Sequence, residues 1–241
     1  MVFLAVGFLC DSVGASEHLY SDSLTEEKVR ECRQSYGGNR EKLEAYRQNT
    51  FRSYQKATES GKKDIVQAAR RELEKQMRGE IFPAWDGTVW DFNGISRVPG
   101  EGKVACGYFV STCLVHLGFQ VSRIRLAQQP SQRIIKTFMP KSERKILAGG
   151  GSMEKGRAYL KTQGDGIYIV GLDTHVGFVS VEGDDMAFIH SSYYRPDAVV
   201  KTEKVDSKNP LSDSKYRVFG KIFADDMVIK WLGGHKYVVK R

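Results

Sequence analysis

Cysteine is scarce in this chain. Four cysteines in 241 residues cannot frame a disulfide-stapled scaffold, so the fold must rest on a packed core. Long apolar runs are missing as well. Beyond the first residues, no stretch reaches the roughly 18 apolar residues of a membrane span, and no transmembrane anchor is expected. There is no long Lys/Arg run and little interleaving of basic with aromatic residues, so a nucleic-acid partner is not expected. Internal repeats are lacking. The triple glycine Gly149-Gly150-Gly151 is not a phosphate loop, because no strand leads in and no Gly-Lys-Ser/Thr follows.

What is present is ordinary for a soluble globular chain: 41% hydrophobic and 27% charged residues. The net charge of +8 favours an anionic partner such as an acidic polymer. The start, MVFLAVGFLC DSVGAS, is an apolar run followed by small residues. It reads as a signal peptide over residues 1–16, cut near Ala15 or Ser16, which implies a secreted or periplasmic protein. Its lack of an early Lys or Arg leaves an ordinary buried segment as the alternative. Leu9 before Cys10 argues against lipidation. Export would leave Cys32, Cys106 and Cys113, an odd number, so one thiol stays free or pairs outside the chain. Cys106 and Cys113 are about 10 Å apart along a helix, too far for a disulfide.

Residues 17–80 read as a helical extension. Ser23 and Glu26 have capping-box spacing, Gly37-Gly38 is expected to break the run, and Leu43, Tyr46, Phe51 and Tyr54 precede Ile65, Val66, Ala69, Leu73 and Met77 at helical spacing. Residues 81–241 read as the main domain. A loop-like stretch with Pro83, Gly87, Gly94, Pro99, Gly100 and Gly102 leads to a helix from Cys106 to Leu117, ended by Gly118. Residues 130–165 form a mixed connection with a short helix near Met153–Thr162. From Gly166, runs such as IYIVGL, HVGFVSV, MAFIHSS, AVVKTEKV and YRVFGKIFA read as strands, and the tail after Trp231 as one more. Helices followed by successive strands predict an α+β fold with an antiparallel sheet.

On the Cys106 helix, Phe109, Val110, Cys113, Leu114 and Leu117 make one apolar stripe, and Cys106 falls near its middle on the first turn. A buried structural thiol can sit there. So can a nucleophile, since a helix N-terminus favours the thiolate and its free N–H groups can hold an oxyanion. Of five histidines, His116 is about 15 Å along the same helix and too distant to act as base, and His18 and His235 read as surface residues. His175 and His190 differ. If Val181 pairs with Met186, then Val179 faces Phe188 and Gly177 faces His190, which places the two imidazoles on one face, roughly 5–8 Å apart at Cβ. The hairpin can then supply a base and a group that orients it, or simply two histidines of a half-buried sheet.

Ala105-Cys106-Gly107-Tyr108-Phe109-Val110, His175-Val176-Gly177-Phe178 and Ile189-His190-Ser191 together resemble the NlpC-type papain-like cysteine peptidases, which cut the peptide part of bacterial cell walls. Ala105 stands where that family has aspartate, and Gly107-Tyr108 where it has Ser-Gly. Trp90-Asp91-Phe92-Asn93-Gly94 resembles loosely the family's segment bordering the substrate cleft. The resemblance spans about residues 85–225. It implies a papain-like core, Cys106 as nucleophile, His175 as base, His190 as orienting residue, Trp90 and Tyr108 at the substrate, a peptidoglycan peptide as substrate, and no metal or cofactor. Three alternatives stay open: an acyltransferase on the same fold, a non-catalytic module that binds wall peptides or a partner, and a zinc site built from the Cys/His/His set.

Overall fold

The computed structural model describes residues 24–150 and 153–240. The expected signal peptide, His18, Ser23 and Gly151 lie outside the described residues. Helix α1 (Glu26–Lys56) is capped by Thr25, whose hydroxyl accepts from the Lys28 N–H at 3.2 Å. It runs unbroken through Gly37-Gly38, contrary to the sequence expectation. Cys32, Tyr36 and Leu43 on either side are buried, and that packing outweighs the roughly 1 kcal/mol that each helical glycine costs relative to alanine. Both glycines are exposed, and a Cβ at either would meet nothing within 4 Å. Gly37→Ala and Gly38→Ala are therefore each expected to stabilise the fold by about 0.5–1 kcal/mol, read as a rise in the thermal midpoint.

Helix α2 (Glu59–Gln76) buries Val66, Ala69 and Leu73, and passes through a π-helical turn (Met77–Ile81) into the short α3 (Phe82–Trp85). The stretch read as loop from residue 81 thus begins in a helix, because Pro83 sits in the first turn of α3, where its missing N–H costs no bond; the rest is mostly irregular, with the paired two-residue strands β1 (Val89–Trp90) and β2 (Lys103–Val104). Helix α4 (Cys106–His116) then begins at Cys106 and ends at Leu117-Gly118, where the glycine takes φ +91°. The five stripe residues Phe109, Val110, Cys113, Leu114 and Leu117 are all completely buried.

The connection predicted as mixed holds β3 (Gln120–Val121), α5 (Arg123–Ala127), α6 (Ser131–Phe138), β4 (Arg144–Ala148) and α7 (Glu154–Gln163). Strands β5 (Gly166–Leu172), β6 (Val176–Glu182), β7 (Asp185–Ser191), β8 (Val200–Lys204) and β9 (Tyr216–Lys221) follow, with α8 (Pro210–Asp213) before the last. The chain closes with α9 (Asp225–Leu232) and β10 (Lys236–Tyr237), which pairs in parallel with β3. The tail thus supplies a helix as well as the expected strand.

The fold is α+β, built on a six-stranded antiparallel sheet in the order β4-β9-β5-β6-β7-β8. One face carries Ile167, Ile169, Val176, Phe178, Ala187, Ile189 and Val218 against the helices, and the N-terminal helices belong to this core through Tyr36, Leu43, Leu73 and Met77. The other face carries Tyr168, Val170, Val179, Phe188 and Phe219 against Met153, Leu160 and Leu211. Polar ties lock α1 and α2 to the C-terminal region: Arg47 Nη1 donates to the Leu232 carbonyl at 2.7 Å and Arg70 Nε to the Phe223 carbonyl at 2.8 Å. Among the described residues no helix is long and apolar enough to cross a membrane.

Candidate active site

The β6–β7 hairpin has the register read from the sequence: Val181 opposes Met186 and Val179 opposes Phe188. Its consequence is a direct bond between two imidazoles, His175 Nε2 to His190 Nδ1 at 2.9 Å. The rings are nearly perpendicular, with centroids 5.0 Å apart. Gly177 makes room for them, since a Cβ there would lie 2.9 Å from the Cβ of His190 and 2.7 Å from the Phe188 ring. Phe188 stacks on His190 at 4.0 Å and backs it with hydrocarbon. Both histidines are buried, at 3% and 0% exposure. Burial disfavours the imidazolium, so it holds His175 well below the usual range and pushes His190 down to about 3.

His175 Nδ1 is the exception in this network. It is buried and has no hydrogen-bond partner. Buried polar atoms without partners are rare and point to a strained or functional site.

Cys106 is partly exposed, whereas Cys32 and Cys113 are buried, and all three thiols are free. Burial of the Cys106 sulfur raises its pKa. The backbone N–H groups of Val176, Gly107 and Cys106 itself act in the opposite direction, by favouring the thiolate. The Val176 N–H belongs to the residue after His175. The helix thus brings its first turn to the start of β6, where His175 lies. Helix α4 covers one face of the sheet while His175 and His190 share the other with Val179 and Phe188, so the sulfur and the imidazole can meet only at the strand ends, and both are there. No hydrogen bond joins Cys106 to His175. The Cys106 thiol comes near the residue that follows His175, and the two histidines are bonded.

The end of the sheet is walled by aromatics. Trp90 packs on Tyr193 with centroids 6.0 Å apart, and Tyr193 meets the His175 ring edge-on at 5.3 Å. The Trp90 backbone is held there by its main-chain N–H, which donates to the Ala198 carbonyl at 2.9 Å. Tyr108 takes a different place: the Arg123 guanidinium lies 4.8 Å over its ring, and Arg123 is itself fixed by Thr112 Oγ1 and the carbonyls of Ile95 and Ser96. His116 is structural. Its Nδ1 bonds the Tyr36 hydroxyl at 2.9 Å, and that hydroxyl accepts from Trp85 Nε1 at 2.9 Å.

Sequence reasoning missed two residues of this site. Tyr193 follows His190 closely in Ser191-Ser192-Tyr193-Tyr194 and carries no motif. Glu203 lies on β8, paired with Phe188, and its Oε2 is 2.8 Å from His190 Nε2. The polar chain therefore runs His175–His190–Glu203. The zinc alternative requires three converging donors, and among the described residues no three His, Cys, Asp or Glu side chains are grouped to hold a metal. Comparison with protein-family models, with curated proteins and with solved structures found no match for this chain.

Proposed function

We propose that this chain is an exported cysteine hydrolase that cleaves an amide bond in cell-wall peptides, on a papain-like core of the NlpC type. One observation carries the reading. His175 Nε2 is held by His190, while Nδ1 of the same buried ring is left without a partner, next in sequence to Val176, whose N–H favours the Cys106 thiolate. A base held at one nitrogen and open at the other is what a thiol nucleophile requires.

In this reading Cys106 Sγ attacks the amide carbonyl carbon as its proton passes to His175 Nδ1. Burial pushes the thiol up and the imidazole down, so the resting pair is neutral and proton transfer accompanies C–S bond formation. The tetrahedral oxyanion is received by free N–H groups of the first turn of α4, with that of Cys106 as the first candidate. The C–N bond breaks as His175 Nδ1 returns the proton to the leaving amine, and water then resolves the thioester. Trp90 and Tyr193, tilted 49° to each other, form an aromatic wall against the substrate. The net charge of +8 suits an anionic polymer such as peptidoglycan.

The raised thiol favours a second reading, a binding module whose cleft does not turn over. Alkylation separates the two. Among the described cysteines Cys106 is the one that is not buried, so iodoacetamide on the native chain is expected to label it ahead of Cys32 and Cys113. If His175 serves it as base, His175→Ala slows that labelling by about tenfold or more near neutral pH. An unchanged rate supports the binding module. The decisive assay is release of peptides from purified wall by the native chain and by Cys106→Ala.

A further inference from the structure

We propose that Glu203 is a positioning residue: through His190 it fixes the tautomer of His175 and so makes Nδ1 the basic atom of the site. The proposal rests on the reading of Cys106 and His175 as nucleophile and base. The geometry supplies every link. Glu203 Oε2 lies 2.8 Å from His190 Nε2, and His190 Nδ1 lies 2.9 Å from His175 Nε2. A carboxylate only accepts, so the single proton of neutral His190 sits on Nε2. Its Nδ1 is then a bare lone pair and must accept from His175, which places the proton of His175 on Nε2. His175 Nδ1 is left unprotonated, and it is the buried atom without a partner.

Heavy-atom distances alone allow the opposite arrangement. With a donor at the far end, His190 would carry its proton on Nδ1 and give it to His175 Nε2. His175 would then carry its proton on Nδ1 and present N–H to the thiol, where it can take up nothing. The two arrangements differ at every link, and the group at position 203 chooses between them. During turnover the carboxylate also faces the imidazolium formed at His175, across the uncharged ring of His190.

The groups around Glu203 are His190 from β7, Lys201 on its own strand, and Tyr194 from the loop after β7, whose hydroxyl donates to Asp213 at 2.8 Å. Burial raises the Glu203 carboxyl and the Lys201 ammonium opposes that rise. Protonation turns Oε2 into a donor and reverses the chain, so activity falls on the acid side as Glu203 takes up its proton. Burial lowers both imidazoles from their ordinary range.

The test is the nitrogen spectrum of the histidine rings, in long-range proton–nitrogen correlation on chain labelled at histidine. Wild type is expected to show both His175 and His190 as the Nε2–H tautomer at neutral pH. Glu203→Gln has the same shape but can donate as well as accept. It is expected to give mixed tautomers at both rings and to lower peptide release by about 10²-fold. In wild type the ring signals and the activity should change together on the acid side. A proton on Nδ1 of either ring in wild type overturns the proposal, and so does a Gln variant that keeps the pure Nε2–H form. The spectra do not depend on turnover. If they come out as expected while Cys106→Ala retains full activity, the nucleophile reading fails and the proton arrangement stands.

Discussion

Cys106→Ala is expected to lower peptide release from purified wall by a factor on the order of 10⁴ or more, with the fold unchanged. In the proposed mechanism the sulfur forms the bond that splits one slow step into two faster ones, and no neighbouring side chain can replace it. The alanine itself is benign. Cys106 is partly exposed on the first turn of α4, and loss of one sulfur there leaves stability within about 1 kcal/mol of wild type. Cys113, about two turns along the same helix and completely buried, supplies the contrast. Cys113→Ala opens a small cavity in the core and is expected to cost about 1–2 kcal/mol with activity retained. The pair separates chemistry from packing: one substitution moves activity and leaves the thermal midpoint, the other does the reverse. Equal peptide release by wild type and Cys106→Ala ends the hydrolase reading.

The parts of this site that local periodicity controls were legible. A 3.6-residue stripe with a glycine behind it set the ends of α4, and a two-residue alternation on both arms of the hairpin set the register that joins His175 to His190. Where tertiary packing overrides local preference, the sequence misled. Gly37-Gly38 reads as a break, yet Tyr36 buries its ring against His116 from one side and Leu43 buries its side chain from the other. Strand β4 was missed because Arg144-Lys145-Ile146-Leu147-Ala148 has no clean alternation, and its strand character comes from the edge of β9 that it completes. Glu203 was hidden for a related reason. Lys201-Thr202-Glu203-Lys204 looks like the solvated charges of an edge strand. Only the pairing of Ile189 with Thr202 sets Glu203 diagonally across from His190. A partner two strands away from His175 leaves no trace in spacing along the chain.

Gly107→Ala is expected to destabilise the fold by roughly 1–3 kcal/mol and to lower activity by about 10²-fold, although helix propensity alone favours alanine by about 1 kcal/mol. The space decides the sign. A Cβ at position 107 would lie 2.3 Å from the Ala127 carbonyl oxygen and 3.2 Å from its carbon, so the clash is with backbone at the end of α5 and no side chain can swing away. This gives a physical reason for a departure noted in the sequence. The motif that Cys106 resembles has serine at this position. Here α5, part of the long connection between Cys106 and His175, packs so closely on the first turn of α4 that only glycine fits. Gly107 also presents one of the N–H groups that favour the thiolate, so a shift that relieves the clash moves the sulfur relative to His175. The same glycine-to-alanine change is thus expected to stabilise at positions 37 and 38 and to destabilise at 107. Thermal midpoints of the three variants, with peptide release for the last, check it. A Gly107→Ala protein as stable and active as wild type would mean that α5 does not set the position of the Cys106 turn.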